Sequence, residues 1–436
     1  MRGGVRQRDS RPPDNTRGNH MVRARGLAVL IVATFVAFAC GGGGGSSNKG
    51  TIDIGSDLPT SGADASSGLP TQYGAQFAVT QAGTVKGFTL NFVPLDDAVN
   101  GKHDPTKGAQ NVQQFISDSK LLGMVGPFNS GVAAAEIPVA NQAPLAMISP
   151  SNTNECLTLA FDYCQKYAGY TAASLRPTGK NNYFRIASND TFQGPAMADF
   201  AFDTLGLKTI AVWDDQEPFG LGVANNFAKE FTKKGGTVVA RQGFDTSAKP
   251  DFHTWLNRAK AAGAQAIYAG ATSASYGCIP RQESQGIFAP DSYYLGPDGI
   301  GDGQCIKDSG TTMGNDHMYA TQGVADANAN ASAAATIAAY KKVHPNPSDT
   351  AAYTFAGYDC AAILIDAIGR AIDANGGNMP TRQQVIDQMA KTSNFPGLTG
   401  TYTLNAAGDP TTPALQVQQY KGGAWTTVKN IAVSTS

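Results

Sequence analysis

The run Leu122-Gly123-Met124-Val125-Gly126-Pro127-Phe128-Asn129-Ser130-Gly131-Val132-Ala133-Ala134-Ala135 changes period in the middle. An apolar run, Leu122–Pro127, reads as a buried strand, and the small residues from Val132 read as a helix. Ser130 falls where an N-cap belongs, just before backbone N–H groups that no carbonyl of the helix can satisfy. A strand that turns directly into such a helix start is an anion site in waiting, although an ordinary capping serine has the same signature.

The same alternation extends in both directions. Strands are predicted at Thr51–Leu58, Phe88–Leu95, Leu145–Ser149, Tyr183–Ala187, Thr209–Trp213, Thr237–Phe244, Ala266–Gly270, Tyr293–Gly296 and Met318–Gln322. Between them lie helix patterns at Gln72–Gln81, Thr106–Ser117, Pro195–Leu205, Gly220–Lys234 and Phe252–Ala262. Continuous apolar strands separated by helices imply parallel sheets covered on both faces. Two rounds of that pattern give an α/β chain with two doubly wound lobes. Helices follow at Ala331–His344 and Thr354–Ala374, and a hairpin of Leu415–Tyr420 and Ala424–Val428 turns at Gly422-Gly423.

The composition agrees. The chain has 436 residues, 42% of them apolar and 15% charged, with a formal net charge of −1, so it can build large cores. A near-neutral balance excludes a nucleic-acid binder that works through a basic face. The 50 glycines show no three-residue period, which excludes collagen.

The N-terminus reads as an address. After Met21 come Arg23 and Arg25, an apolar run over Leu27–Ala39, and Cys40. This is the layout of a secretory signal, too short for a membrane span of about 20 residues. The Arg-rich stretch before Met21 has no place in that layout, so Met21 is the expected start and 1–39 the expected leader. Ala37-Phe38-Ala39-Cys40 resembles the lipobox of bacterial lipoproteins, with Cys40 lipidated. A plain signal with an incidental cysteine fits the same residues. Residues 40–49, rich in Gly and Ser, read as a tether between a membrane anchor and the body.

Export permits disulfides. Cys156 and Cys164 share one polar insertion, and Cys278 and Cys305 each sit in Gly-rich loops, so these are the expected bridges. Cys360 falls on the apolar face of a predicted helix and reads as a buried free thiol. No cysteine pair has CxxC spacing, and His103, His253, His317 and His344 show no HxxxH pair. Metal sites are therefore not expected. Gly220-Leu221-Gly222 lacks the third glycine of a dinucleotide loop, and Gly-x-Ser-x-Gly and Walker A patterns are absent. Neither an enzyme nor a cofactor is expected.

In open parallel sheets ligands lie beyond the carboxyl ends of the strands. Three such ends carry polar groups: Ser130, then Ser151-Asn152-Thr153, then Asp298 after Gly296-Pro297. Each alone also reads as a turn or cap.

Taken together, the pieces resemble the Leu/Ile/Val-binding protein family, the type I periplasmic-binding fold. They are Leu58-Pro59-Thr60-Ser61-Gly62, Asp96-Asp97 with Asp104-Pro105, Val125-Gly126-Pro127 with Ser130, and Ile148 to Thr153. Further on come Phe192-Gln193-Gly194-Pro195, Val212-Trp213-Asp214-Asp215 with Phe219-Gly220, Gly296-Pro297-Asp298-Gly299, and Gly397-Leu398-Thr399-Gly400 with Gly408-Asp409. The resemblance spans Thr51–Val428. It implies that Ser130 and Thr153 hold a ligand α-carboxylate, Ser151 contacts the α-amino group, and Asp298 pairs with the ammonium. Ser67, Thr272 and Phe219 stand where branched-chain receptors carry Tyr, and Tyr353 matches an aromatic wall. The ligand side-chain pocket is thus altered.

The resemblance also implies lobes of residues 50–188 with 319–402 and of 189–318 with 403–436, closing on a small ligand. The expected protein is a monomeric extracytoplasmic lipoprotein that delivers an α-amino acid to an ABC permease. A same-fold receptor for an amide or aromatic acid is the alternative, and a structural envelope protein a third reading. Leu157–Asn182, longer than the usual family loop, has no assigned role.

Overall fold

In the computed structural model, residues 48–310 and 317–432 are described. Two parallel-stranded sheets dominate. The first has six strands in the order Thr84–Val85, Phe88–Asp96, Thr51–Leu58, Leu121–Val125, Ala146–Ser149 and Tyr183–Arg185. The second has seven, in the order Thr237–Gly243, Thr209–Asp214, Ala266–Gly270, Tyr293–Gly296, Met318–Gln322, Ala414–Lys421 and Ala424–Ala432. Pairing is parallel except at the short edge strand Thr84–Val85 and in the terminal hairpin, whose strand Ala414–Lys421 runs antiparallel to Met318–Gln322. Both faces of each sheet are covered, which explains why strands such as Leu121–Val125 and Ala266–Gly270 are apolar along their whole length.

On one face of the first sheet, Ile52, Ile54 and Ile148 pack with Ile363, Leu364 and Ile368 of helix Thr354–Ala374. That helix crosses helix Ala65–Ala82 with their backbones nearly touching. A Cβ on Gly74 would lie 1.8 Å from the Thr354 carbonyl oxygen, and one on Gly357 would lie 2.3 Å from that of Thr71. Only glycine permits so close a crossing, and each helix supplies one. The free Cys360 lies buried in this layer. Both expected disulfides form, Cys156–Cys164 and Cys278–Cys305.

Several expected boundaries move. Helix Ala65–Ala82 starts seven residues before Gln72 and runs through Pro70, a residue that costs a helix one hydrogen bond. The helix expected at Pro195–Leu205 begins at Asp190, where Asn189 caps it by accepting from the Thr191 N–H, and Pro195 lies inside it. Helix Arg382–Met389 was not expected; a reciprocal Thr381/Gln384 cap starts it.

The halves also divide elsewhere than the sequence reading placed them. Met318–Gln322 lies wholly in the second sheet, so the chain crosses back after Gln322 rather than at 318/319. Leu404 packs in the first core and Asp409 pairs with Arg185 at 2.7 Å, so the last crossing follows Asp409 rather than residue 402. The three crossing segments are tied together. The Ser188 N–H donates to the Gly323 oxygen at 2.7 Å, and its hydroxyl to the Ala414 oxygen at 2.8 Å.

Candidate functional site

Two helix N-termini, one from each half, face each other across a cleft. Helix Ser130–Gln142 follows the first sheet's strand Leu121–Val125, and helix Pro218–Lys233 follows the second sheet's strand Thr209–Asp214. A Cβ on Gly131 would lie 4.0 Å from Pro218 Cδ. Asn129, extended at φ −94° and ψ 139°, is the N-cap of the first helix; Ser130, expected in that role, is its first helical residue. The first-turn N–H groups of both helices lack intrahelical acceptors, so the cleft carries two partial positive charges.

Ser130, Ser151, Phe219, Thr272 and Asp298 line one cavity here, together with Phe128 and Glu217. Its volume is about 20 Å³, room for a water but not for an amino acid, so loading requires the halves to part. The Ser151 hydroxyl donates to the Phe128 oxygen at 2.9 Å, and Ser130 Oγ accepts from the Asn154 N–H at 3.3 Å. Thr272 Oγ1 lies 3.3 Å from Ser275 Oγ.

Asp298 stands at the end of strand Tyr293–Gly296. Its Oδ2 accepts from the Tyr353 hydroxyl, while Oδ1 is buried with no partner. Burial pushes its carboxyl up to about 6 against the opposing hydrogen bonds from Tyr353 and Gln193. Asp298, with its orphaned oxygen, lines the same cavity as Ser130 and Gly131 of one helix start and Phe219 of the other, which gives the site a negative pole and a positive pole.

Other expected site residues fall differently. Asn152 is consumed by structure: its amide donates to the Phe128 oxygen at 2.7 Å and its Oδ1 accepts from Tyr183 at 2.8 Å. Ser67 sits in the first turn of helix Ala65–Ala82, and its carbonyl accepts from Thr71; it is not among the cavity's lining residues. Thr153 lies one layer deeper, where its carbonyl accepts from the Asp190 N–H at 2.8 Å and Oγ1 is buried without a partner. Tyr353 reaches the site through its hydroxyl rather than as an aromatic wall. That hydroxyl also accepts from the Gly323 N–H at 3.0 Å, on a crossing segment.

Sequence reading passed over the bridge across the cleft mouth. His103 lies buried between two carboxylates, with Nδ1 2.6 Å from Asp64 Oδ2 and Nε2 3.0 Å from Glu217 Oε2. Asp64 and His103 belong to the first half and Glu217 to the second. One further bond crosses between the halves and another steadies Glu217 within its own half. The Ala274 N–H donates to Asp64 Oδ1 at 3.2 Å, and Ser275 donates to Glu217 Oε1 at 3.2 Å. Burial alone would lower the His103 pKa, but Glu217 and Asp64 outweigh it and hold it well above the ordinary value. The imidazolium in turn holds Glu217 below its usual range against the effect of burial. The only sequence trace of the bridge was His103-Asp104-Pro105, which reads as a helix start.

Behind the cleft, Asp57, Asp97 and Glu136 place three buried carboxyl groups within 4.8 Å of one another. Burial pushes Asp57 to about 7, and Asp97 and Glu136 well above the carboxylate range.

Two parallel-sheet halves, three crossing segments and a polar cleft between them define a two-lobed solute-binding protein. A sequence profile described as periplasmic binding protein matches residues 51–424, and the chain belongs to that family. It is 25% identical over 399 residues to "Leu/Ile/Val-binding protein homolog 1" of Brucella abortus (strain 2308), covering 91% of this chain and 95% of that one. The structure of leucine-binding protein LivK from Thermotoga maritima superposes with a TM-score of 0.73 at 27% identity, covering 87% of this chain and 99% of that one. A solute-binding protein of an ABC transporter from R. palustris, solved with benzoate, gives 0.68 at 24% identity, with 88% and 98% covered. The branched-chain amino acid binding family and its type I fold are thus those the sequence motifs implied. These relatives are solute-binding proteins. The family supports an extracytoplasmic location, and among the described residues no helix is long and apolar enough to cross a membrane. The leader and Cys40 lie outside the described residues.

Proposed function

We propose that the protein captures an α-amino acid between its two halves and hands it to an ABC importer while tethered to the membrane through Cys40. The observation that carries this reading is Asp298, whose Oδ1 is buried without a partner and which shares its cavity with the first-turn residues Ser130, Gly131 and Phe219 of two helices. A zwitterion complements both poles: its carboxylate takes the N–H groups at Ser130–Val132, and its ammonium takes Asp298. Ser130 and Ser151, which line the cavity, serve the carboxylate and amino groups, while Phe219 and Thr272 face the ligand side chain. Binding energy gained on both faces drives closure about the segments at Ser188, Gly323 and Ala414.

Phe128 and Phe219 in the lining, and the benzoate of the R. palustris neighbour, favour an aromatic acid as the second reading. Asp298→Ala separates the two. Amino-acid binding measured by calorimetry disappears in that variant if the ammonium pairs with Asp298, whereas an aromatic acid binds it at least as tightly as the parent.

A further inference from the structure

A second cleft, of about 630 Å³, opens beneath the insertion that follows Cys156 and has no residue in common with the lining of the first. One wall is aromatic. Phe161 stacks on Tyr163 with centroids 5.1 Å apart, and Tyr167 lies 6.0 Å beyond, with Phe161 and Tyr167 37% and 42% exposed. The opposite wall is helix Pro218–Lys233, through Gly222 and Asn226.

The floor is Glu155, 1% exposed. Its Oε1 accepts from Tyr163 at 2.8 Å and from Asn226 Nδ2 at 2.9 Å, which fixes the carboxylate, while Oε2 is buried with no partner. Asp190 Oδ2, equally buried and unpartnered, approaches the same point. A Cβ on Gly222 would sit 3.7 Å from Glu155 Oε2, 4.0 Å from Asp190 Oδ2 and 2.9 Å from Asn154 Nδ2. A glycine in the first turns of a helix costs about 1 kcal/mol against alanine; here it lets Asn154 Nδ2, which donates to the Pro218 oxygen, pack against the helix beside these oxygens.

We infer that this cleft is a second ligand site, for a primary organic ammonium carrying a flat apolar body. The ammonium donates to Glu155 Oε2, and the body lies along Phe161 and Tyr167. Asp190 does not line the cleft, and the charges that surround it leave that role to Glu155. Both Glu230 oxygens are held by Lys233 at 3.0 Å, Lys166 covers one face of Tyr167 at 5.1 Å, and Lys229 is exposed at the rim. Cleft volumes of about 300–1,000 Å³ are those of small-molecule sites. The inference gives the insertion a function and does not rest on the amino-acid reading.

The test is calorimetric titration of the mature chain with 2-phenylethylammonium, with 2-phenylethanol as the uncharged control. The expected result is one saturable site that binds the alcohol at least about tenfold more weakly. Glu155→Gln weakens the amine at least about tenfold, and the exposed Tyr167→Ala, which leaves the core untouched, weakens it about threefold or more. Asp298→Ala leaves amine binding intact. Absence of saturable binding, equal affinity for amine and alcohol, or unchanged affinity in both cleft variants overturns the inference. So does loss of amine binding in Asp298→Ala, which would place the amine in the first cleft.

Discussion

The hydroxyl of Tyr353, at the start of a helix packed on the first sheet, donates to Oδ2 of Asp298, at the end of a strand in the second. The same hydroxyl accepts from Gly323 on a crossing segment. One side chain therefore connects the acid at the site, the opposite half and the hinge, and it leaves Asp298 Oδ1 as the oxygen free for a ligand.

Tyr353→Phe removes that donor without changing the packing against Phe128, whose ring lies 5.6 Å away. The Tyr353 bond lowers the Asp298 pKa from where burial would put it, so the variant raises it above about 6. Ligand affinity falls about tenfold, from the loss of about 1–2 kcal/mol of positioning and charge. Calorimetry at pH 7 and pH 8 checks this: the deficit shrinks at the higher pH, where Asp298 ionises without help.

His103→Gln breaks the charged bridge from Asp64 to Glu217. Small-angle scattering of the ligand-free variant should show a larger radius of gyration than the parent, with the difference reduced at saturating ligand. An unchanged radius would mean that the bridge does not hold the halves together.

The buried acids set the pH dependence of stability. Asp57, pushed to about 7, with Asp97 and Glu136 also raised well above the carboxylate range, keep protons in the folded state that the unfolded chain releases near pH 4. Their contribution is complete below about pH 4 and is lost as pH rises through 7 and beyond. His103, also raised, acts in the same direction above 6.5. Thermal stability should therefore fall from pH 5 to pH 8. Asp57→Asn, which cannot ionise, should flatten the profile by on the order of 3 kcal/mol across that range.

Most of the fold was legible because apolar strands alternate with helices, and two of the cleft's strand ends, Ser130 and Asp298, stood at the positions this pattern singles out. The misses have local causes. Helix starts at Ala65 and Asp190 were hidden by Pro70 and Pro195, which break helices in isolation and are tolerated here through packing. Ser67 lies inside a helix whose start the sequence did not show, and Asn152 is held by Phe128 and Tyr183, partners that only the tertiary structure brings to it. The His103 bridge joins residues 39 and 114 positions apart, so no local pattern could show it. Leu157–Asn182, longer than the usual family loop, offered no local motif from which to read a role.

Reduction of Cys156–Cys164, or Cys164→Ser, opens a loop with a sequence separation of eight. The loss should be about 2–3 kcal/mol, read as a lower unfolding midpoint, with little effect on amino-acid affinity because the bridge lies outside the first cleft.

The central claim is the α-amino acid, and thermal unfolding of the mature chain, refolded to strip bound ligand, tests it most directly. At about a thousand times its Kd, one amino acid should add about 4 kcal/mol, its des-amino analogue should add nothing, and Asp298→Ala should abolish the shift. Stabilisation by benzoate or an amide while every amino acid is silent would contradict the account.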